Sequence, residues 1–111
     1  VDTKYDTTPP SVATTINGLE EFDGPGITIN PTGGSDSFSG VLHYTIWRST
    51  SGPTSGYEYK GTTSQVSQRW FDSNCVWDVQ YWYKAETVDV AGNLSGLSST
   101  SLFHNPSSGG K

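Results

Sequence analysis

The sequence predicts an all-β fold, a seven-stranded antiparallel β-sandwich formed by one domain. Three observations carry that expectation. Ser, Thr and Gly dominate the polar residues, whereas the helix formers Ala, Leu, Glu and Lys are scarce and methionine is absent. Thr, Tyr, Trp and Val, which fit a pleated surface, gather in short runs. Gly, Pro, Asn and Asp separate those runs where turns are needed. With 111 residues the chain can bury one modest core; only 32% are hydrophobic, so the 13% that are aromatic must supply much of the buried area.

The elements follow in order. Residues 1–5 alternate Val1, Thr3 and Tyr5 with Asp2 and Lys4, and form an extended N-terminal segment ahead of the domain proper, 6–104. Asp6-Thr-Thr-Pro-Pro10 opens that domain, its prolines fixing an extended entry and blocking a helix. Residues 11–19 are the first strand. A turn through Asp23-Gly24 and Pro25-Gly26 leads to a short second strand, Ile27-Thr28-Ile29, and then to a Gly-, Ser- and Asp-rich loop over 30–40. The third strand, 41–49, sets Leu42, Tyr44 and Ile46 on one face and His43, Thr45 and Trp47 on the other. Two more strands cover 57–61 and 65–71. The longest pattern, 79–88, puts Val79, Tyr81, Tyr83, Ala85 and Thr87 on one face. Asp89-Val-Ala-Gly-Asn93 turns the chain into the last strand, 96–103, and residues 105–111 read as a flexible tail or linker. Period-2 positions give the expected core: Ile29, Leu42, Tyr44, Ile46, Trp70, Tyr81, Tyr83 and Ala85.

Several functions are disfavoured. The net charge is -5 and the six Lys and Arg are scattered, which speaks against a nucleic-acid partner. No apolar run approaches the roughly 18 residues of a membrane span. Val1 opens the chain as a mature or excised piece would. The two histidines, His43 and His104, have no nucleophile at a recognisable spacing, and no Gly-x-Ser-x-Gly elbow or zinc spacing occurs. Glu20 and Glu21 are adjacent in a turn and would point apart, which suits a solvated turn better than glycoside chemistry. The chain is therefore expected not to be an enzyme. Cys75 is alone; it reads as a small buried hydrophobe, with a reactive thiol or an intermolecular bridge as the alternatives.

Three segments occur in order at domain spacing: Asp6-Thr-Thr-Pro-Pro10, Ser39-Gly-Val-Leu-His-Tyr-Thr-Ile-Trp-Arg-Ser49 and Tyr81-Trp-Tyr-Lys-Ala-Glu-Thr-Val-Asp-Val-Ala-Gly-Asn-Leu-Ser95. Together they resemble bacterial fibronectin type III-like modules, immunoglobulin-like sandwiches, over nearly the whole chain. Two departures stand out. The family's core Trp at the end of the second strand is missing near Pro31, leaving Trp70 or Trp77 to fill the space, and Cys75-Val-Trp-Asp78 replaces a Pro-Gly turn. The resemblance implies that Tyr81 is a corner tyrosine whose hydroxyl bonds back to the backbone, and that Cys75 occupies a buried apolar corner.

The implied topology gathers Asp6, Asp36, Asp89 and Asn93 at one pole. Three carboxylates and an amide are a partial ligand set for calcium; the competing reading is that Asp89 and Asn93 simply hold their turn. Asn93-Leu-Ser95 is also an N-glycosylation sequon. Neighbouring third and sixth strands would place His43, Trp47 and Trp82 on one outer face, where exposed indoles stack on sugars or anchor an interface unless neighbouring side chains cover them. The resemblance implies a non-catalytic extracellular or cell-surface module, structural or adhesive. One form is a self-associating subunit of a filament or assembly, with residues 1–5 adding as a strand to a neighbour's open edge. The other is a spacer or carbohydrate-binding accessory module of a secreted polysaccharide-degrading enzyme.

Overall fold

A computed structural model of the chain describes residues 8–20, 24–36, 40–63, 69–99 and 101–107. Among them are eight strands: β1 (Thr15–Glu20), β2 (Ile27–Thr32), β3 (Val41–Ser49), β4 (Glu58–Thr62), β5 (Trp70–Asp72), β6 (Tyr81–Asp89), β7 (Leu94–Leu97) and β8 (Leu102–His104). One antiparallel sheet has the order β1-β2-β5; the other runs β4-β3-β6-β7, with β8 also paired to β6. The described residues contain no helix, hence none long and apolar enough to cross a membrane.

Alternation along the strands creates the core. Tyr44 and Ile46 of β3 and Tyr81, Tyr83 and Ala85 of β6 turn inward at every second position and are buried against Ile16, Ile27 and Ile29 of the facing sheet. Trp70 packs against this cluster, half-buried, and its indole lies against Gly61 of β4. A Cβ at Gly61 would overlap the ring, so the missing side chain makes room for the indole. Pro31 is itself buried in β2, opposite Ile16.

Leu42 is a correction to the expected core: it is 44% exposed. The β3–β6 register slips between Val41 and His43, a bulge that places an extra residue on β3 and turns Leu42 outward. The first strand begins at Thr15 rather than residue 11, although Ser11 N–H donates to Ser35 and Thr14 N–H to Thr32. The second strand continues through Pro31 to Thr32, shortening the loop. The fifth, expected over 65–71, is described only from Trp70 to Asp72, residues 64–68 lying outside the described residues. The last strand divides in two. Ser98 breaks it: its hydroxyl accepts from Ala85 N–H (3.2 Å) while its own N–H donates to Ala85 O (2.8 Å), so the edge leaves β6 and returns as β8.

Residues 105–107 stay on the body. Pro106 is buried and its carbonyl accepts from Asp78 N–H at 2.6 Å. Asp78 takes φ 66°, supplying the left-handed residue that a Pro-Gly turn would place before the strand. Tyr81 is a corner tyrosine: Val76 N–H donates to its hydroxyl at 2.7 Å.

A largely buried polar cluster lies between the sheets. Arg48 of β3 donates to Asp72 Oδ2 of β5 at 2.8 Å, and Tyr83 Oη donates to the same oxygen at 2.6 Å. Asn74 N–H donates to Asp72 Oδ1, Cys75 Sγ lies 3.3 Å from Tyr83 Oη, and the guanidinium sits 4.8 Å above the Tyr81 ring. At the seam, buried His104 of β8 stacks on Tyr81; its Nε2–H donates to Pro25 O at 2.6 Å and its Nδ1 lies 2.7 Å from the Glu20 carboxylate.

Candidate functional site

The outer face of the five-stranded sheet carries the aromatic side chains that alternation rejects from the core. Register brings His43 and Trp47 of β3 and Trp82 of β6 onto this one face. Trp47 stands opposite Tyr59 of β4 on one side and Lys84 of β6 on the other; Trp82 stands opposite Phe103 of β8. The Trp47 and Tyr59 rings meet edge to face at 5.9 Å, and Trp82 and Phe103 tilt together at 5.3 Å. Between the two pairs, Lys84 Nζ lies 5.2 Å from the Tyr57 ring. Trp47 Nε1–H donates to Thr45 Oγ1 at 3.1 Å, fixing the indole's tilt.

Both indoles are half-buried, because their neighbours lie against them, while Tyr59 and Phe103 are 55% and 51% exposed. The face is therefore a strip of four rings, Tyr59, Trp47, Trp82 and Phe103, flanked by Lys84, Glu86 and His43. Sequence reasoning placed the two indoles and the histidine on this face, as the register does. It missed Tyr59 and Phe103, although their alternation within β4 and β8 was available as a signal.

At the pole, Asp89 and Asn93 close their turn. Asp89 Oδ1 accepts from Asn93 N–H at 2.7 Å and Oδ2 from Asn93 Nδ2 at 3.0 Å; Gly92, at φ 94°, completes the reversal. Asn93 Nδ2 also reaches Thr8 O at 3.4 Å, tying the domain entry to the turn. A glycan on this nitrogen would replace one of its hydrogens. Asp6 and Glu21 lie outside the described residues. Among those described, Asp36 and Asp89 included, no three His, Cys, Asp or Glu side chains stand close enough together to hold a metal ion.

The cluster around Asp72 has the strongest electrostatics and is largely buried, the Asp72 side chain 2% and the Arg48 side chain 12% exposed. Desolvation pushes the Asp72 carboxyl up, and the hydrogen bonds from Tyr83, Arg48 and Asn74 N–H outweigh it, leaving the group below its ordinary value. Burial raises the Tyr83 phenol, and its bond to Asp72 raises it further. Burial likewise pushes the Cys75 thiol up to about 11, which suits an inert interior cysteine.

No family model and no curated protein sequence matches the chain. Solved structures do match in fold. A fibronectin type III-like protein from Clostridium thermocellum superposes with a TM-score of 0.68 at 18% identity, over 86% of this chain and 92% of that one. Pectate lyase Pel3 from Pectobacterium carotovorum matches at TM-score 0.59 and 18% identity, over 90% of this chain and 27% of that one. A β-1,2-glucanase from Parabacteroides distasonis matches at 0.60 and 24% identity, over 91% of this chain and 14% of that one. The chain thus spans a small part of either enzyme. The fold is fibronectin type III-like.

Proposed function

We propose that this fibronectin type III-like module is a non-catalytic, extracellular accessory domain of polysaccharide-degrading machinery, and that it holds glycan on the outer face of its five-stranded sheet. The strip of Tyr59, Trp47, Trp82 and Phe103 carries the reading. The flat C–H face of a pyranose lies on an aromatic ring, while Lys84, Glu86 and His43 stand beside the strip to meet its hydroxyls. Recurrence of the fold inside a pectate lyase and a β-1,2-glucanase supports the same setting. The test is retention of the isolated chain on the uncharged insoluble polysaccharides β-glucan, xylan and mannan. Trp47→Ala and Trp82→Ala are each expected to weaken retention by about 2 kcal/mol, the size of an interface anchor. Retention on none of them, or retention that neither variant changes, overturns the reading.

A second reading is a self-assembling structural unit. Among the described residues each sheet has open ends, β1 at one end of the first and β4 at one end of the second, and each of these pairs on one side only. Residues 1–5, the candidate donated strand, lie outside the described residues. Deleting them is expected to abolish assembly while the fold persists; a deletion variant that assembles as the full chain does removes strand donation.

A further inference from the structure

The opposite side of the sandwich presents different chemistry. Alternation in β1 and β2, and at the start of β5, leaves Asn17, Leu19, Thr28, Asn30 and Arg69 on the outer face of the three-stranded sheet. Register aligns them. Asn17 pairs with Asn30 and Leu19 with Thr28 across β1–β2, and Arg69 stands one step beyond the Ile29–Trp70 pair, next to Asn30. With Gly18 they line a groove of about 290 Å³. That is at the low end of the roughly 300–1,000 Å³ of small-ligand sites, room for about one sugar ring.

The groove's polar groups are open. Among the described residues, no carboxylate lies within ion-pairing distance of Arg69, and the side chains of Asn17, Thr28 and Asn30 make no hydrogen bond. The lining contains one fixed positive charge and no negative one, on a chain whose net charge is -5. Two amides and a hydroxyl can each donate and accept, as ring hydroxyls require. A planar guanidinium matches the planar fork of a carboxylate through two parallel N–H···O bonds. Leu19, 66% exposed, supplies an apolar wall, and Phe71, opposite Thr28 on β5, extends it.

We infer that this groove is a second glycan site, one that takes a carboxylated sugar, a uronate residue of an acidic oligosaccharide, with Arg69 on the carboxylate and Asn17, Asn30 and Thr28 on the hydroxyls. The inference does not rest on the aromatic strip, which occupies the other sheet.

The test is a two-dimensional amide NMR titration of the full chain with trigalacturonate. Shift changes are expected at Asn17, Leu19, Thr28, Asn30 and Arg69, and the affinity is expected to fall as salt is raised. Arg69→Gln is an exposed change whose spectrum reports that the fold persists; it is expected to weaken binding about tenfold or more, the size of a lost charge-assisted pair. Asn30→Ala is expected to weaken it about threefold. A neutral galactose trisaccharide is expected to bind at least about tenfold more weakly than the uronate. The titration is read at the groove's own amides and the aromatic-face reading in the retention assay on uncharged polysaccharides, so the failure of either is seen apart from the other. The proposal is overturned by an absence of shifts in the groove, by unaltered binding in Arg69→Gln, or by equal perturbation from the neutral trisaccharide. Equal perturbation from hexa-aspartate or from sulfate at matched ionic strength also overturns it, since either would mean that charge alone is read.

Discussion

The Asp72 carboxylate, 2% exposed, joins β5 to β3 and β6 because one oxygen accepts from both Arg48 and Tyr83. Removing its charge strands a guanidinium that is itself nearly enclosed. Asp72→Asn is expected to cost about 3–5 kcal/mol, read as a lower urea midpoint at pH 7. The pH dependence follows from the sign of the shift. The folded carboxyl lies below its unfolded value, so its contribution is whole above the ordinary Asp range of about 4. It shrinks as pH falls below that range and is gone once pH passes under the folded value. The gap between wild type and Asp72→Asn is therefore expected to narrow in urea titrations repeated toward pH 2. Cys75, in the same cluster, is expected to stay a thiol at neutral pH and to react with a disulfide reagent only after unfolding. Prompt stoichiometric labelling of the native chain would contradict its placement.

Between strands, the packing relies on side chains left out. Gly61 lies where a side chain would strike the Trp70 indole, and both ends of that contact are fixed in strands. Gly61→Ala is expected to destabilise by about 1–3 kcal/mol, as over-packing does, and to lower the thermal midpoint. At the pole, Asp89→Ala removes both side-chain acceptors of the turn and is expected to cost about 1–3 kcal/mol, with millimolar calcium leaving the wild-type midpoint unmoved. A calcium-dependent rise would instead assign the carboxylates to a metal. These elements also show what the sequence disclosed. Tyr44, Ile46, Tyr81, Tyr83 and Ala85 were legible because strict period 2 in a half-buried strand has one buried solution. Leu42 and the divided last strand were not, because a bulge or a serine that replaces a ladder bond changes register without changing composition. The Arg48–Asp72 pair was hidden too: its members are polar, 24 residues apart, and meet only when the sheets close. His104, just past the expected last strand, carried no structural signal in the sequence, whereas its ring closes the seam through Glu20 and Pro25.

On the scale of the whole molecule, the two sheets turn different chemistry outward: rings with a lysine on one side, amides with an arginine on the other. That division was half legible. The indoles stand out in any polar sequence, but Asn17, Asn30 and Arg69 become one feature only through cross-strand register. The contacts at the ends carry a mechanical meaning. Thr8 is tied to Asn93 at the finish of β6, and Pro106 to Asp78 just ahead of its start, so entry and exit lie at opposite poles. Nine residues of β6 separate them, roughly 30 Å at about 3.3 Å each. Tension applied through the two ends therefore runs along the strands. It loads the ladder bonds side by side in shear instead of opening them one after another like a zip, and the seam at His104 and Glu20 lies within the sheared body. Forced unfolding is governed by the rate of the first rupture. In this geometry that rupture must break the bonds of a terminal ladder together, so a pull through the ends is expected to meet more resistance than peeling would, while both faces remain exposed.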